Sequence, residues 1–353
     1  MKQTTFSLSH LIVISWVGSF FLFLLLFFST GVNAQEEALT FYVTPEFPDS
    51  QIEGSSKYFD LNLAPESVET LTLQIQNAGS ESIQVEVTPH TAYTNVHGIV
   101  EYGKDSKAPD NSLIHSLDEL IKPTDVIELE GNETKKISIP LHMPKESFEG
   151  FLAGGLRISE VKEDDEETKN NEEGLAIKNE FSYVIGVVVS NSRDSVQPDL
   201  DLLDVFADQL NYRNVISANI QNFTPTFVNR MAVEATVQRV GEDEVLYEAS
   251  EEMMQMAPNS NFNFPIPLKG DRFQNGEYLL KLKATSGEEE WEWERTFTIE
   301  ADEARALNRA DVTIDSSLNW WMIGIGLLII VLCVIILYLI VQKKRSTGKE
   351  QPK

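Results

Sequence analysis

Cysteine is almost missing from this sequence. The single one, Cys333, lies in a long apolar run near the C-terminus, and residues 35–317 have none. Thiol nucleophiles, thiolate metal sites and disulfide staples are thereby excluded from that region, which must hold together by burial alone. A disulfide-free surface chain fits a bacterial setting better than an animal one. Basic side chains are also scarce. Lys and Arg number 28 against 55 Asp and Glu, a formal net charge of −27, and for residues 35–317 alone the formal charge is about −32. Affinity for phosphate needs clustered Lys and Arg, so nucleic acid is excluded as a partner. The acidic surplus serves solubility and self-repulsion on a crowded surface. Histidine is sparse too. His90, His97, His115 and His142 are the four in this region, and no two stand three or four residues apart, the spacing that puts a zinc pair on one helix face. Neither a Gly-x-Ser-x-Gly elbow nor a phosphate-binding loop is present. No catalytic, metal or cofactor residue is assigned, no cofactor is expected, and no ligand-contact residue can be named. Carboxylates are so abundant that a glycosidase-type pair stays open as a minor alternative.

What the sequence does have is two long apolar runs. Trp320 to Val341 carries no charge over 22 residues, about 33 Å of helix against a hydrocarbon core of roughly 30 Å. Trp320 and Trp321 stand at its start, where amphipathic rings favour the headgroup level. Lys343, Lys344 and Arg345 follow. Basic residues beside a span mark the cytoplasmic side, which puts the large N-terminal part outside the cell. Residues 318–341 are read as one transmembrane helix and residues 342–353 as a cytoplasmic tail too short for a folded signalling domain. Leu11 to Phe28 is the second apolar stretch. Lys2 precedes it, and Val32-Asn33-Ala34 offers a peptidase site before Gln35-Glu36-Glu37. That is a secretory signal over residues 1–34, with an uncleaved anchor as the alternative.

Between these ends the pattern is strand-like. Leu71, Leu73 and Ile75 alternate, as do Ile83, Val85 and Val87, with the turn cluster Asn77-Ala78-Gly79-Ser80 between them; this reads as a hairpin with one buried face. Ser116 to Ile121 reads as one short helical turn. Ile127 to Leu129 and Lys135 to Leu141 flank a Glu130–Glu133 turn. Phe181 to Val189 is a near-continuous apolar run, the pattern of a buried central strand. Met231 to Gln238 and Glu244 to Glu248 form a hairpin about Gly241, and Tyr278 to Ala284 and Glu290 to Ile299 another about Gly287. Along the last strand Trp291, Trp293, Arg295, Phe297 and Ile299 share a face. That ladder reads as packing, with a ligand platform as the alternative. Glu300 to Asn308 looks helical. Lys162 to Gly174 carries seven carboxylates and no apolar residue, too little to offset the entropy of ordering. It lacks the alternating acids and central glycine of a calcium loop.

The expected fold class is mainly β: two immunoglobulin-like β-sandwich domains plus one C-terminal transmembrane α-helix. The first sandwich is placed at residues 35–161, an acidic linker or loop at 162–178, the second sandwich at 179–300 and a juxtamembrane segment at 301–317.

Several stretches are family-specific rather than generic. Met143 to Leu156 (MPKESFEGFLAGGL), Thr91 to Tyr102 (TAYTNVHGIVEY) and the opening Phe41-Tyr42-Val43-Thr44-Pro45 resemble the first module of WxL-interacting proteins. Ser217 to Asn222 (SANIQN), Met254 to Phe262 (MQMAPNSNF) and the WEWERTFTI strand resemble the second, and the Trp320-Trp321 start of the apolar run agrees. The chain has no Trp-x-Leu tripeptide, so it is similar to the membrane-bound partner rather than to the wall protein. The resemblance implies a surface complex of Gram-positive bacteria. Its first module would bind peptidoglycan and its second host or extracellular-matrix proteins, with WxL-domain surface proteins as further partners. Gly150, Gly154, Gly155 and the methionine and asparagine positions of these motifs read as fold maintenance and docking between modules rather than as ligand contacts.

The function expected is that of a non-enzymatic adaptor or adhesin at the cell wall, single-pass in the cell membrane, with its ectodomain extracellular. The alternatives are a chaperone-like assembly factor for surface proteins and a wall-active hydrolase.

Overall fold

The computed structural model describes residues 39–103, 108–161, 181–314 and 320–347, the last of these with side-chain surroundings from 324 to 340. The signal stretch and the acidic stretch 162–178 lie outside the described residues.

The first unit is built from two facing sheets. One has the order β1 (Phe41–Glu46), β3 (Val68–Asn77), β8 (Thr134–His142), with β3 antiparallel to both neighbours. The other runs β2 (Phe59–Asn62), β10 (Ser182–Ser190), β9 (Leu152–Glu160), β4 (Ile83–Thr91), β7 (Ile127–Leu129). Leu71, Leu73, Ile75 and Ile139 from the first sheet meet Val85, Val87, Leu156, Ile158 and Val187 from the second in one core, all of them fully or almost fully buried. The alternation along β3 and β4 thus marks the inward faces as the sequence implies. The two strands are not a hairpin, however. They lie in opposite sheets, and the turn between them carries the chain across the core. Asn77 holds that crossing. Its fully buried amide donates to the carbonyls of Glu81 (2.7 Å), Leu129 (3.2 Å) and Glu130 (3.0 Å), while its Oδ1 accepts from the Gly79 N–H at 2.8 Å. The bond to the Leu129 carbonyl is buried away from water, where an acceptor needs such a donor. Helix α1 (Leu117–Leu120) is the expected single turn, with Leu117 and Leu120 in the core.

Phe181 to Val189 is central, as its apolar run implies, but it belongs elsewhere than expected. β10 pairs antiparallel with β9 and parallel with β2, so a strand the sequence reading puts in the second sandwich completes a sheet of the first. A polar insertion and an apolar strand look the same whichever sheet the strand returns to. Here the chain leaves β9 at Glu160 and comes back to pair with that same strand.

The second unit again has two sheets. One is β11 (Leu200–Leu210), β12 (Arg213–Asn222), β15 (Ser260–Pro267) and the other β14 (Val245–Met256), β13 (Val228–Arg239), β16 (Gly276–Ser286), β17 (Glu289–Ile299). Ile216, Ile220, Phe262 and Phe264 of the first pack on Met231, Val233, Val237, Leu280 and Leu282 of the second. The β13–β14 and β16–β17 hairpins form as the turn residues require, with Gly241 and Gly287 at φ 83° and 64°. Trp291 and Trp293 pack against the core edge. The Trp291 indole donates to Asp199 at 2.9 Å, and Arg295 donates to the carbonyl of Leu202 at 2.7 Å. The aromatic ladder therefore ties β17 to β11 across the sandwich edge.

Helix α2 (Ala301–Ala310) covers one end of this unit. Asn308 accepts from Asn214 (2.9 Å) and Phe273 (2.8 Å), and Asp311 from the Asn214 N–H (2.8 Å). Helix α3 (Trp320–Thr347) follows. Among the described residues no helix is long and apolar enough to cross a membrane, the side chains of α3 being described only over 324–340.

Candidate binding site at the junction of the two units

The two units meet along a seam of specific contacts. The short hairpin of β5 (Tyr93–Thr94) and β6 (Val100–Glu101) reaches from the first unit to the second. Thr94 Oγ1 accepts from the Ala257 N–H at 3.0 Å and lies 2.7 Å from Ser260 Oγ. The Gln255 N–H donates to the Gly98 carbonyl at 2.6 Å. Gly98 has φ 64°, and a Cβ there would stand 2.4 Å from Met254 Cε, so only glycine fits the turn against its neighbour. On the other side of the seam the Phe151 N–H donates to the Pro225 carbonyl at 2.7 Å. Gly150, at φ 67°, would place a Cβ 2.1 Å from that carbonyl oxygen. Between these lie Ala92, Ala153, Val188 and Ala257, buried, with Phe151 and Phe227 6.3 Å apart.

A carboxylate closes the polar end. Asp110 accepts from Gln221 Nε2 at 2.7 Å, from Asn261 Nδ2, and from the Ser112 N–H and hydroxyl at 2.8 and 2.6 Å. Burial alone would push its pKa up, but the hydrogen bonds from Ser112, Asn261 and Gln221 outweigh that and hold it below the ordinary carboxylate value. Asn259, at φ 48°, donates to the Ser112 carbonyl at 3.1 Å. The MQMAPNSNF and SANIQN stretches thus supply Met254, Ala257, Asn259, Ser260, Asn261 and Gln221 to this seam.

Beside the seam opens a cleft of about 720 Å³. The first unit contributes Tyr58, Asp60, Tyr102, Phe151 and Val184, and the second contributes Phe227, Asn229 and Gln255. Arg193, in the connection between units, pairs with Asp60 at 2.5 Å and lays its guanidinium over the Phe151 ring, 5.4 Å from the centroid. Burial raises the Tyr102 pKa, with a smaller contribution from Tyr58, so its hydroxyl stays protonated. No sequence signal marked this cleft, because its lining is drawn from six separate stretches of chain. Of the four histidines, His90 stands 3.1 Å from the Thr88 hydroxyl and His115 packs on Phe148. Among the described residues no three His, Cys, Asp or Glu side chains are grouped to hold a metal.

Comparison with known proteins agrees with the order of the units. The family model "WxL Interacting Protein, peptidoglycan binding domain" matches residues 41–160, and "WxL Interacting Protein, host binding domain" matches residues 172–309. No curated protein matches the chain. Among solved structures, the E. coli chaperone DraB is 14% identical, with 74% of this chain and 98% of that one covered, at a TM-score of 0.27. The class 5 fimbriae chaperone CfaA is 12% identical, with 74% and 100% covered, at 0.28. The CsuC–CsuE chaperone–tip complex of Acinetobacter baumannii is 14% identical, with 72% and 98% covered, at 0.29. Likeness at this level carries no functional argument. With both domains matched in sequence order, the chain belongs to the WxL-interacting protein family.

Proposed function

We propose that this protein is a non-enzymatic surface adaptor and adhesin. Two immunoglobulin-like sandwiches stand outside the cell on one membrane-crossing helix. The first holds peptidoglycan, the second holds host or extracellular-matrix ligands, and WxL-domain surface proteins join the complex. The observation that carries this reading is the pair of matched binding domains in one chain, docked to each other through named contacts and followed by α3 with its basic end. Two binding surfaces on one tether raise each other's effective concentration, so weak contacts to wall and partner add up to firm attachment.

The test uses the full chain, solubilised in detergent. It should co-sediment with purified insoluble peptidoglycan at physiological salt and co-purify with a WxL-domain protein from solubilised membranes. Absence of sedimentation removes the wall assignment, and repeated absence of the WxL protein removes that partner.

A further inference from the structure

We infer that the junction cleft is a saccharide site for an uncharged pyranose oligosaccharide, and that neither unit forms it alone. Its floor is the outer face of β10. There Val184, Gly186 and Val188 point away from the first core, and Gly186 pairs across the sheet with Gly155. The paired glycines make room for aromatic side chains to lie on this floor: a Cβ on Gly155 would stand 2.8 Å from Tyr102 Cβ. Tyr58 stands against it, its Cβ 3.2 Å from where a Cβ on Gly186 would be. Tyr102, Phe151 and Phe227 supply further aromatic surface. Rings of this kind take the C–H faces of a sugar.

The polar groups come from both units. Gln255 Nε2 donates to Asn229 Oδ1 at 3.0 Å. That bond fixes both amides and leaves Gln255 Oε1 as an acceptor and Asn229 with an amide donor for hydroxyl or acetamido groups. Arg193 is held by Asp60 and by the Phe151 ring. Glu101 is a second carboxylate at the cleft, held ionised by hydrogen bonds from Tyr93 (2.7 Å) and Asn95. Two carboxylates against one guanidinium, on a chain of formal charge −27, repel uronic or sulfated glycans. An extended peptide finds little purchase either: β10 and β9 are interior strands, and the outer edge of β2 is taken at Asp60 by the Ile52 N–H and the Gln51 side chain. A volume of about 720 Å³ lies within the range of roughly 300–1,000 Å³ for small-ligand sites.

The glycan's source rests on the wall-binding reading above, but the site does not. The full chain, in a detergent without a sugar headgroup, is titrated calorimetrically with tetra-N-acetylchitotetraose as the wall-type glycan and an N-acetyllactosamine tetrasaccharide as the host-type one. The variants are Val184→Trp, which fills the cleft from a half-exposed position, and the double change Asn229→Ala with Gln255→Ala. The wild type should bind one of the two glycans, which names the source. Val184→Trp should abolish that binding, and the double variant should weaken it roughly tenfold. Binding of neither glycan, or unchanged affinity in Val184→Trp, overturns the site. If Val184→Trp binds glycan normally while the chain still sediments with peptidoglycan, the site is wrong and the wall assignment stands. If the wild type binds glycan in the cleft but does not sediment, the site stands and the wall assignment fails.

Discussion

Asp110 shows what a single residue can decide in this protein. It belongs to the first unit, yet two of its hydrogen-bond donors, Gln221 and Asn261, come from the second. Its folded pKa is depressed below the ordinary value of 3.8. A depressed carboxylate stabilises the fold fully above its unfolded pKa of about 3.9, and that contribution is lost as pH falls through the lower folded value. His90 and Asp118 line the same small cavity. Replacing Asp110 by Asn keeps the shape but sets an amide against four donors. At pH 7 Asp110→Asn should destabilise the full chain by about 2 kcal/mol, seen as a lower melting temperature. As pH falls below 5 and through the depressed folded value, the gap between wild type and variant should narrow, because at this position only the wild type gains a proton. A gap that stays constant down to pH 3 would show that Asp110 does not carry the seam's charge-assisted bonds.

At the scale of elements, side-chain alternation was legible and partnership was not. Leu71, Leu73, Ile75, Val85 and Val87 are buried as their period-two spacing requires, because burial on one face is a local property of the strand. Which sheet a strand joins depends on where the chain returns, and that is set by contacts distant in sequence. β3 and β4 therefore read as a hairpin and instead face each other across the core. The junction cleft was invisible for the same reason, since Tyr58, Phe151, Arg193 and Gln255 become neighbours only in three dimensions. Gly150 was legible as a constrained position, and the structure supplies the constraint as close approach of Pro225 from the other unit; Gly98, equally constrained, was not singled out. β10 has the largest consequence. The peptidoglycan-binding match ends at residue 160, but the sheet of that unit needs Ser182–Ser190 between β2 and β9. A fragment ending at residue 161 would lack Val187 and Val189, both fully buried in the core, and leave an empty slot there. Each such side chain contributes roughly 1.5–3 kcal/mol, and a backbone edge is opened as well. Circular dichroism and amide exchange should find fragment 39–161 unfolded or aggregated and fragment 39–194 folded. A cooperatively folded 39–161 would mean that β10 is dispensable.

For the whole molecule the question is what holds so acidic a chain to a cell. An anionic ectodomain gains nothing from an anionic membrane surface and is repelled by it. In the proposed arrangement attachment to the membrane falls to α3, whose apolar stretch Trp320 to Val341 ends against Lys343, Lys344 and Arg345. A helix inserted in hydrocarbon differs from a surface contact in its response to solvent. Salt and high pH strip charge-held proteins from membranes, while a span is released only when detergent replaces the lipid. The full chain should therefore stay in the membrane pellet through 1 M salt and alkaline carbonate and enter solution in detergent. A chain ending at Ile314 should leave the membrane fraction completely, and its remaining attachment to cells should be to the wall. Protease added to intact cells whose wall has been removed should degrade the two folded units and spare the basic tail. Extraction of the full chain by salt alone, or a protected ectodomain, would require a different attachment or the opposite orientation.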